Sequence, residues 1–225
     1  WANLPEIDGL LERVARWTLT DVWRPPANIF TKGGSPRRGG DGQHIASHLR
    51  LMDHVYARTG DPLFLVVPRE AIVRGFGTGS RPFGTRSTGL VLNNVPWFLT
   101  TLQNSGDPQP DPQLEVKFPL DQVSATPGQE FHVTVTLKNT GSTPITDLRA
   151  SFQSRLDFRT SAESPLPKSI QPGQAVELSY NVVAPNYINL QCLYNRIAYA
   201  HWSALYRREE KVHLAHAPLA MSLKE

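Results

Sequence analysis

The chain has 225 residues, 23 Lys+Arg against 20 Asp+Glu, a formal charge of +3, and 40% hydrophobic residues. This is the balance of an ordinary globular protein; with no basic stripe interleaved with aromatics, it argues against a nucleic-acid binder. No apolar run reaches the roughly 18 residues of a membrane span, and the single cysteine, Cys192, excludes an intrachain disulfide and reads as a small buried hydrophobe.

The chain opens at Trp1 rather than methionine, so it reads as processed or cut from a longer precursor. Leu4–Val22 has helical spacing, with Leu10, Leu11, Val14, Trp17, Leu19 and Val22 as its apolar positions. Pro5 stands at its entrance, and Trp23-Arg24-Pro25-Pro26 ends it. Ala27–Gln43 is a loop rich in glycine, with Lys32, Arg37 and Arg38. Such a loop can cradle an anion, but it lacks the Gly-Lys-Ser/Thr of a phosphate-binding loop and reads as a connector. His44–Thr59 is a second helix, with Ile45, Leu49, Met52, Val55 and Tyr56 as its stripe and Gly60-Asp61-Pro62 as its stop. Leu63–Gly75 is a third, with a break or new start expected at Pro68. Gly75–Gly89 is another Gly-, Ser- and Arg-rich loop. Leu90–Gln103 is a fourth helix, bent at Pro96, with Leu92, Val95, Phe98, Leu99 and Leu102 inward.

Asn104–Pro112 is a linker by composition. Strands follow at Leu114–Phe118, Glu130–Asn139, Leu148–Ser154, Ala175–Val183, Arg196–Tyr206 and Lys211–Ala217. Two of them open on the same phrase. Thr126-Pro127-Gly128-Gln129 precedes Phe131, Val133, Val135 and Leu137; Gln171-Pro172-Gly173-Gln174 precedes Val176, Leu178, Tyr180 and Val182. Pro-Gly predicts a type II turn, and alternation predicts half-buried antiparallel strands. The fold class read from these patterns is α+β in two domains: an α-helical region over 1–106, a linker over 107–113 and a β-sandwich over 114–225.

Two family resemblances follow. The Pro-Gly-Gln phrases, with Val133–Gly141 and Ile170–Gln174, resemble the CARDB-like domains and the immunoglobulin-like module appended to some bacterial alpha-galactosidases. That resemblance covers about Leu114–Glu225 and implies an Ig-like sandwich without catalytic residues. His48-Leu49-Arg50-Leu51, Tyr56–Pro62 and Val95–Leu99 resemble the C-terminal end of an (α/α) toroid in secreted bacterial glycoside hydrolases and polysaccharide lyases. A full toroid has about twelve helices, so a second chain or a missing part of a longer precursor is an implied partner.

Candidate chemistry is sparse. His44 and His48 lie four apart on one helical face. Ile45 occupies the place of the Glu in a zinc-protease helix, and no third ligand is evident, so no metal or cofactor is expected. Arg81 and Arg86, with Arg37 and Arg38, precede helices and suit uronate or sulfate groups if the loops converge. Trp97 is a candidate sugar-stacking platform, with buried anchoring as the other reading. His213 and His216 suggest nothing specific, and Trp202 reads as sandwich core. Asp41 and Asp53 are not placed as a hydrolytic carboxylate pair. The expectation is the largely non-catalytic C-terminal portion of a secreted or cell-surface bacterial carbohydrate-active protein. Its partner is a polysaccharide or other glycan, and neither nucleic acid nor a membrane span is expected. The alternatives are a fragment lending His44, His48, Arg81, Arg86 and Trp97 to a hydrolase or lyase rim, and an adhesion or glycan-binding protein.

Overall fold

The structure, a computed structural model, describes residues 5–25, 29–31, 39–40, 43–77, 88–154, 158–186 and 197–224. Arg37, Arg38, Arg81, Arg86 and Cys192 lie outside them.

Among the described residues the chain is α+β. Helix α1 (Pro5–Trp17) runs into a π-helical turn (Thr18–Val22), then into a small sheet of β1 (Trp23–Arg24), β2 (Ile29–Thr31) and β3 (Gly39–Gly40). Helices α2 (Gln43–Thr59), α3 (Leu63–Gly77) and α4 (Thr88–Asn104) follow. The strands then run β4 (Gln109–Pro110), β5 (Leu114–Lys117), β6 (Gln122–Ala125), β7 (Glu130–Asn139), β8 (Ile145–Gln153), β9 (Arg159–Ala162), β10 (Ser169–Ile170), β11 (Ala175–Val183), β12 (Ile197–Arg208) and β13 (Lys211–Leu223). No helix among the described residues is long and apolar enough to cross a membrane.

The two Pro-Gly-Gln phrases make the same turn twice. Gly128 and Gly173 sit at φ 74° and 75°, the left-handed region that glycine enters without a Cβ penalty. Gln129 N–H donates to the Thr126 carbonyl, and Gln174 N–H to the Gln171 carbonyl, both at 3.0 Å. Each glutamine side chain then folds back. Thr126 N–H donates to Gln129 Oε1 at 2.9 Å, and Gln171 N–H to Gln174 Oε1 at 2.8 Å. The strands launched by these turns pair with each other. β7 and β11 are antiparallel, with Val133 opposite Tyr180 and Val135 opposite Leu178. They are the middle of a four-stranded sheet ordered β5-β7-β11-β9.

A second sheet runs β10-β8-β12-β13-β4, with β6 also on β13. Both sheets contribute to one apolar core, in which Phe152, Trp202 and Tyr206 meet Val133, Val135 and Tyr180. The stretch expected as a linker is built into this sheet, since Gln109–Pro110 pairs in parallel with His213–Leu214.

The helices cover the other face of β12 and β13. α2 packs against α1, α3 and α4, while α3 and the π-turn rest on β12. The helical apolar cluster takes in Leu205 and Leu214 from the sheet. β12 is therefore buried on both faces: Ala200, Trp202, Ala204 and Tyr206 face the four-stranded sheet, while Leu205 faces the helices.

Three sequence expectations need correction here. α3 does not break at Pro68 but runs straight through it. Proline inside a helix costs about 3 kcal/mol. Leu63, Phe64, Leu65, Val66 and Val67 are each at most 1% exposed, and burying such side chains is worth roughly 1.5–3 kcal/mol apiece. Packing outweighs the lost hydrogen bond. Leu99, expected inward on α4, is 47% exposed, and part of the α1 stripe turns outward as well. Ile7, Leu10, Val14 and Trp17 are 48%, 52%, 40% and 38% exposed, while Ala15, Leu19 and Val22 are buried.

Candidate functional site

The most constrained polar cluster lies where the helices meet the sheet. β12 and β13 place Ser203 opposite His216 and His201 opposite Pro218. His201 and His216 are therefore diagonal neighbours on one face, close enough for ring contact. α3 brings Glu70 to the same face, and the π-turn brings the Leu19 carbonyl. Together they form a chain of three hydrogen bonds. Glu70 Oε2 bonds His216 Nδ1, His216 Nε2 lies 2.9 Å from His201 Nδ1, and His201 Nε2 lies 3.0 Å from the Leu19 oxygen. Trp23 stacks on both rings, with centroids 5.5 Å from His201 and 5.8 Å from His216.

The proton order follows from the last acceptor. A carbonyl only accepts, so His201 Nε2 carries its hydrogen, and the neutral ring leaves Nδ1 as an acceptor. His216 Nε2–H must then be the donor. One further proton lies between His216 Nδ1 and Glu70. Burial pushes the Glu70 carboxyl up, but the His216 hydrogen bond and the charges of His216 and Arg74 outweigh it and hold the group below the usual carboxylate range. Arg74 closes the outer side of Glu70 as an ion pair one helical turn away. His201 is fully buried, which pushes its pKa well below the ordinary value; the charge of His216 adds to this, and the Leu19 carbonyl offsets part of it.

Glu–His beside a serine is the layout of a hydrolytic triad. Ser203, however, has a fully buried hydroxyl with no hydrogen-bond partner, and His216 Nε2 is engaged by His201. Among the described residues the cluster has no reachable nucleophile; it holds a proton and joins elements. Its outer end borders a 420 Å³ cleft lined by Arg69, Glu70, Arg74, Asp111 and His216. A 730 Å³ cleft lies between Tyr56, Asn104, Asp147, Arg149 and Arg207.

Asp111 belongs to a second buried network. Arg208 Nε donates to Asp111 Oδ2 at 2.9 Å, and its remaining nitrogens donate to the Thr143 carbonyl at 2.8 Å and to Asn139 Oδ1 at 3.0 Å. The Tyr206 hydroxyl donates to the same carboxylate oxygen at 3.1 Å. Burial and the Asp111 charge push the Tyr206 pKa up, so it stays a donor.

The residues singled out from the sequence fall elsewhere. His44 lies in the first turn of α2, with half-buried His48 one turn on. Trp97 is 59% exposed on α4 rather than anchored inside, with the Arg50 guanidinium 5.3 Å from its ring centroid. Arg81 and Arg86 are outside the described residues. Among the described residues no group of three or more His, Cys, Asp or Glu is arranged to hold a metal. Nothing local in the sequence joins the Glu70–His216–His201 chain, because Glu70 and His216 are 146 positions apart. One signal was present: Ile197–Tyr206 contains no Asp, Glu, Lys or Arg, the mark of a strand covered on both faces.

No protein-family profile and no curated protein matches the chain. Among solved structures it is similar to the GAE domain of GGA2p from Saccharomyces cerevisiae, at 12% identity over 49% of this chain and 90% of that one, TM-score 0.37. It is also similar to the VesB protease of Vibrio cholerae, at 14% identity over 57% and 36%, TM-score 0.38. A third similarity is to the YadV chaperone, at 11% identity over 50% and 51%, TM-score 0.32. Overlaps this partial assign neither fold family nor activity.

Proposed function

We propose that this chain is a largely non-catalytic supporting portion of a secreted bacterial carbohydrate-active protein. On this reading its helices belong to a toroid-like layer, and its two sheets form a CARDB-like, Ig-like sandwich that holds the layer in place. The observation that carries the reading is the outward face of α1. Ile7, Leu10, Val14 and Trp17 are spaced three, four and three apart, and all stand exposed. That is the spacing of a seam that another helix covers, and contiguous exposed apolar surface marks an interaction site. The partner is a further helix, from another chain or from the same precursor. The join between α2 and α3 supports the toroid resemblance: Gly60 takes φ 65° after the last turn of α2, and Asp61 Oδ1 accepts the Leu63 N–H at 2.9 Å to start α3.

The test is analytical ultracentrifugation of the purified chain, together with turnover assays on neutral and anionic polysaccharides. The expected result is concentration-dependent association, removed by Leu10→Glu with Val14→Glu, and no turnover. A chain that stays monomeric and cleaves polysaccharide overturns the proposal. A second reading, a fragment with His44, His48, Arg81, Arg86 and Trp97 on a substrate rim, draws on the exposed ring of Trp97. Turnover abolished by His48→Ala selects it, and glycan binding without turnover by the monomer selects a cell-surface adhesion module.

A further inference from the structure

We propose that the Glu70–His216–His201 chain is an acid-sensitive latch that clamps the helical layer onto the sheet and releases that seam when His201 takes up a proton. Each bond in the chain crosses between elements. Glu70 ties α3 to β13, His216 ties β13 to β12, and His201 ties β12 to the π-turn. Trp23, directly after the π-turn, is clamped by the two rings. The helical cluster and the sheet core are separate apolar clusters, so the seam between them can open while the two sheets stay paired.

The latch works because every position in the chain has a fixed polarity. The Leu19 carbonyl takes the Nε2 hydrogen of His201, which leaves Nδ1 as the only acceptor for His216. A proton on His201 Nδ1 removes that acceptor and turns two N–H donors, on rings with centroids 5.2 Å apart, against each other in a dry site. Among the described residues no carboxylate bonds His201. From α3, Glu70 is engaged by His216 and Arg74, and Arg69 adds positive charge. From the π-turn, Asp21 accepts from Thr20 Oγ1 at 2.8 Å; Arg24 of β1 lies over Tyr199. From the β8 side, Gln153, opposite His201, donates to Asp61 at 3.1 Å. Across the cleft, Asp111 is held by Arg208.

The sign is set by His201 being buried neutral. Its folded pKa lies below the unfolded value of about 6.5. Above that pH His201 is neutral in both states and adds nothing to the pH dependence of docking. As pH falls below it, the open state binds the extra proton and docking weakens, by up to about tenfold per pH unit, until the folded pKa is reached.

The experiment is amide hydrogen exchange on the whole chain between pH 8 and 5, expressed as protection factors. The expected result is a fall of up to about tenfold per pH unit below about 6.5 in α3 and the π-turn, with β7 and β11 unchanged, and no such fall in His201→Gln. Equal loss of protection in β7 and β11, or an unchanged fall in His201→Gln, overturns the latch. If His201→Gln does not fold, imidazole C2–H NMR of the wild type decides the question. The latch requires one histidine whose protonation midpoint coincides with the loss of α3 protection; protonation of His201 with α3 still protected refutes it.

Discussion

Arg208→Met should destabilise the protein by about 3–5 kcal/mol, the cost of breaking a buried ion pair from one side. The structure says where that cost falls. Arg208 and Asp111 side chains are 7% and 4% exposed. Without the guanidinium, the Thr143 carbonyl keeps a bond from Asn139 Nδ2 at 2.9 Å, and Asn139 Oδ1 keeps one from Gly141 N–H at 3.0 Å. Among the described residues the Asp111 carboxylate keeps the Gln113 N–H at 2.8 Å and the Tyr206 hydroxyl at 3.1 Å. The penalty is therefore that of a stranded charge, and neutralising the charge should remove much of it. Arg208→Met with Asp111→Asn should be less destabilised than the sum of the single variants by about 2 kcal/mol, within the range measured for residues in direct contact. Urea denaturation followed by tryptophan fluorescence, run as a double-mutant cycle, gives the number. If the two substitutions add within about 0.5 kcal/mol, the carboxylate is not held by Arg208 and the reasoning fails.

The same pair has a pH signature. Burial pushes the Asp111 carboxyl up, but the Gln113 N–H, Arg208 and Tyr206 together hold it below the usual range. Its contribution is complete above the ordinary aspartate pKa and is lost as pH falls through the lower folded value; Asp111→Asn should flatten that limb of the stability profile. The two turn glycines should differ. Alanine at either meets the left-handed penalty of roughly 1–2 kcal/mol, but a Cβ at Gly128 would also come 2.9 Å from Asn186 Oδ1, while at Gly173 it would meet nothing within 4 Å. Thermal melts should place Gly128→Ala below Gly173→Ala, and the reverse order would reject the clash. Tyr180→Phe strands the Trp202 Nε1–H, which donates to the Tyr180 hydroxyl at 3.1 Å inside the core. The expected loss is about 1–3 kcal/mol, read as a shift of the urea midpoint at constant m-value.

Local rules made much of the fold legible. Pro-Gly-Gln specifies its turn with three neighbouring residues, so both copies appear as expected, as do strands β7 and β11 with the bounds read from alternation. Arg58–Pro62 joins two helices because Gly60 and Asp61 act on residues a few positions away. Where the outcome depended on a distant surface, local reading fell short. Periodicity marks the apolar side of α1 but not whether anything covers it. Pro68 looks like a break until the sheet is placed beneath Leu63–Val67. His216 on β13 looks unremarkable beside His213 until Glu70 and His201 arrive from other elements.

The amino-acid sequence by itself determined the α+β class, the four helices, the main strands and the two turns. Those properties follow from hydrophobic period and from proline and glycine stereochemistry, which act over a few residues. Only the tertiary structure decided that β12 lies between the helices and the four-stranded sheet, that Gln109–Pro110 of the 107–113 stretch pair with β13 in the sheet of β12, and that Glu70, His216 and His201 share a proton chain. Those depend on strand register and on which face of each element meets which neighbour. A hydrogen bond between residues 146 positions apart leaves no mark in either residue's local sequence.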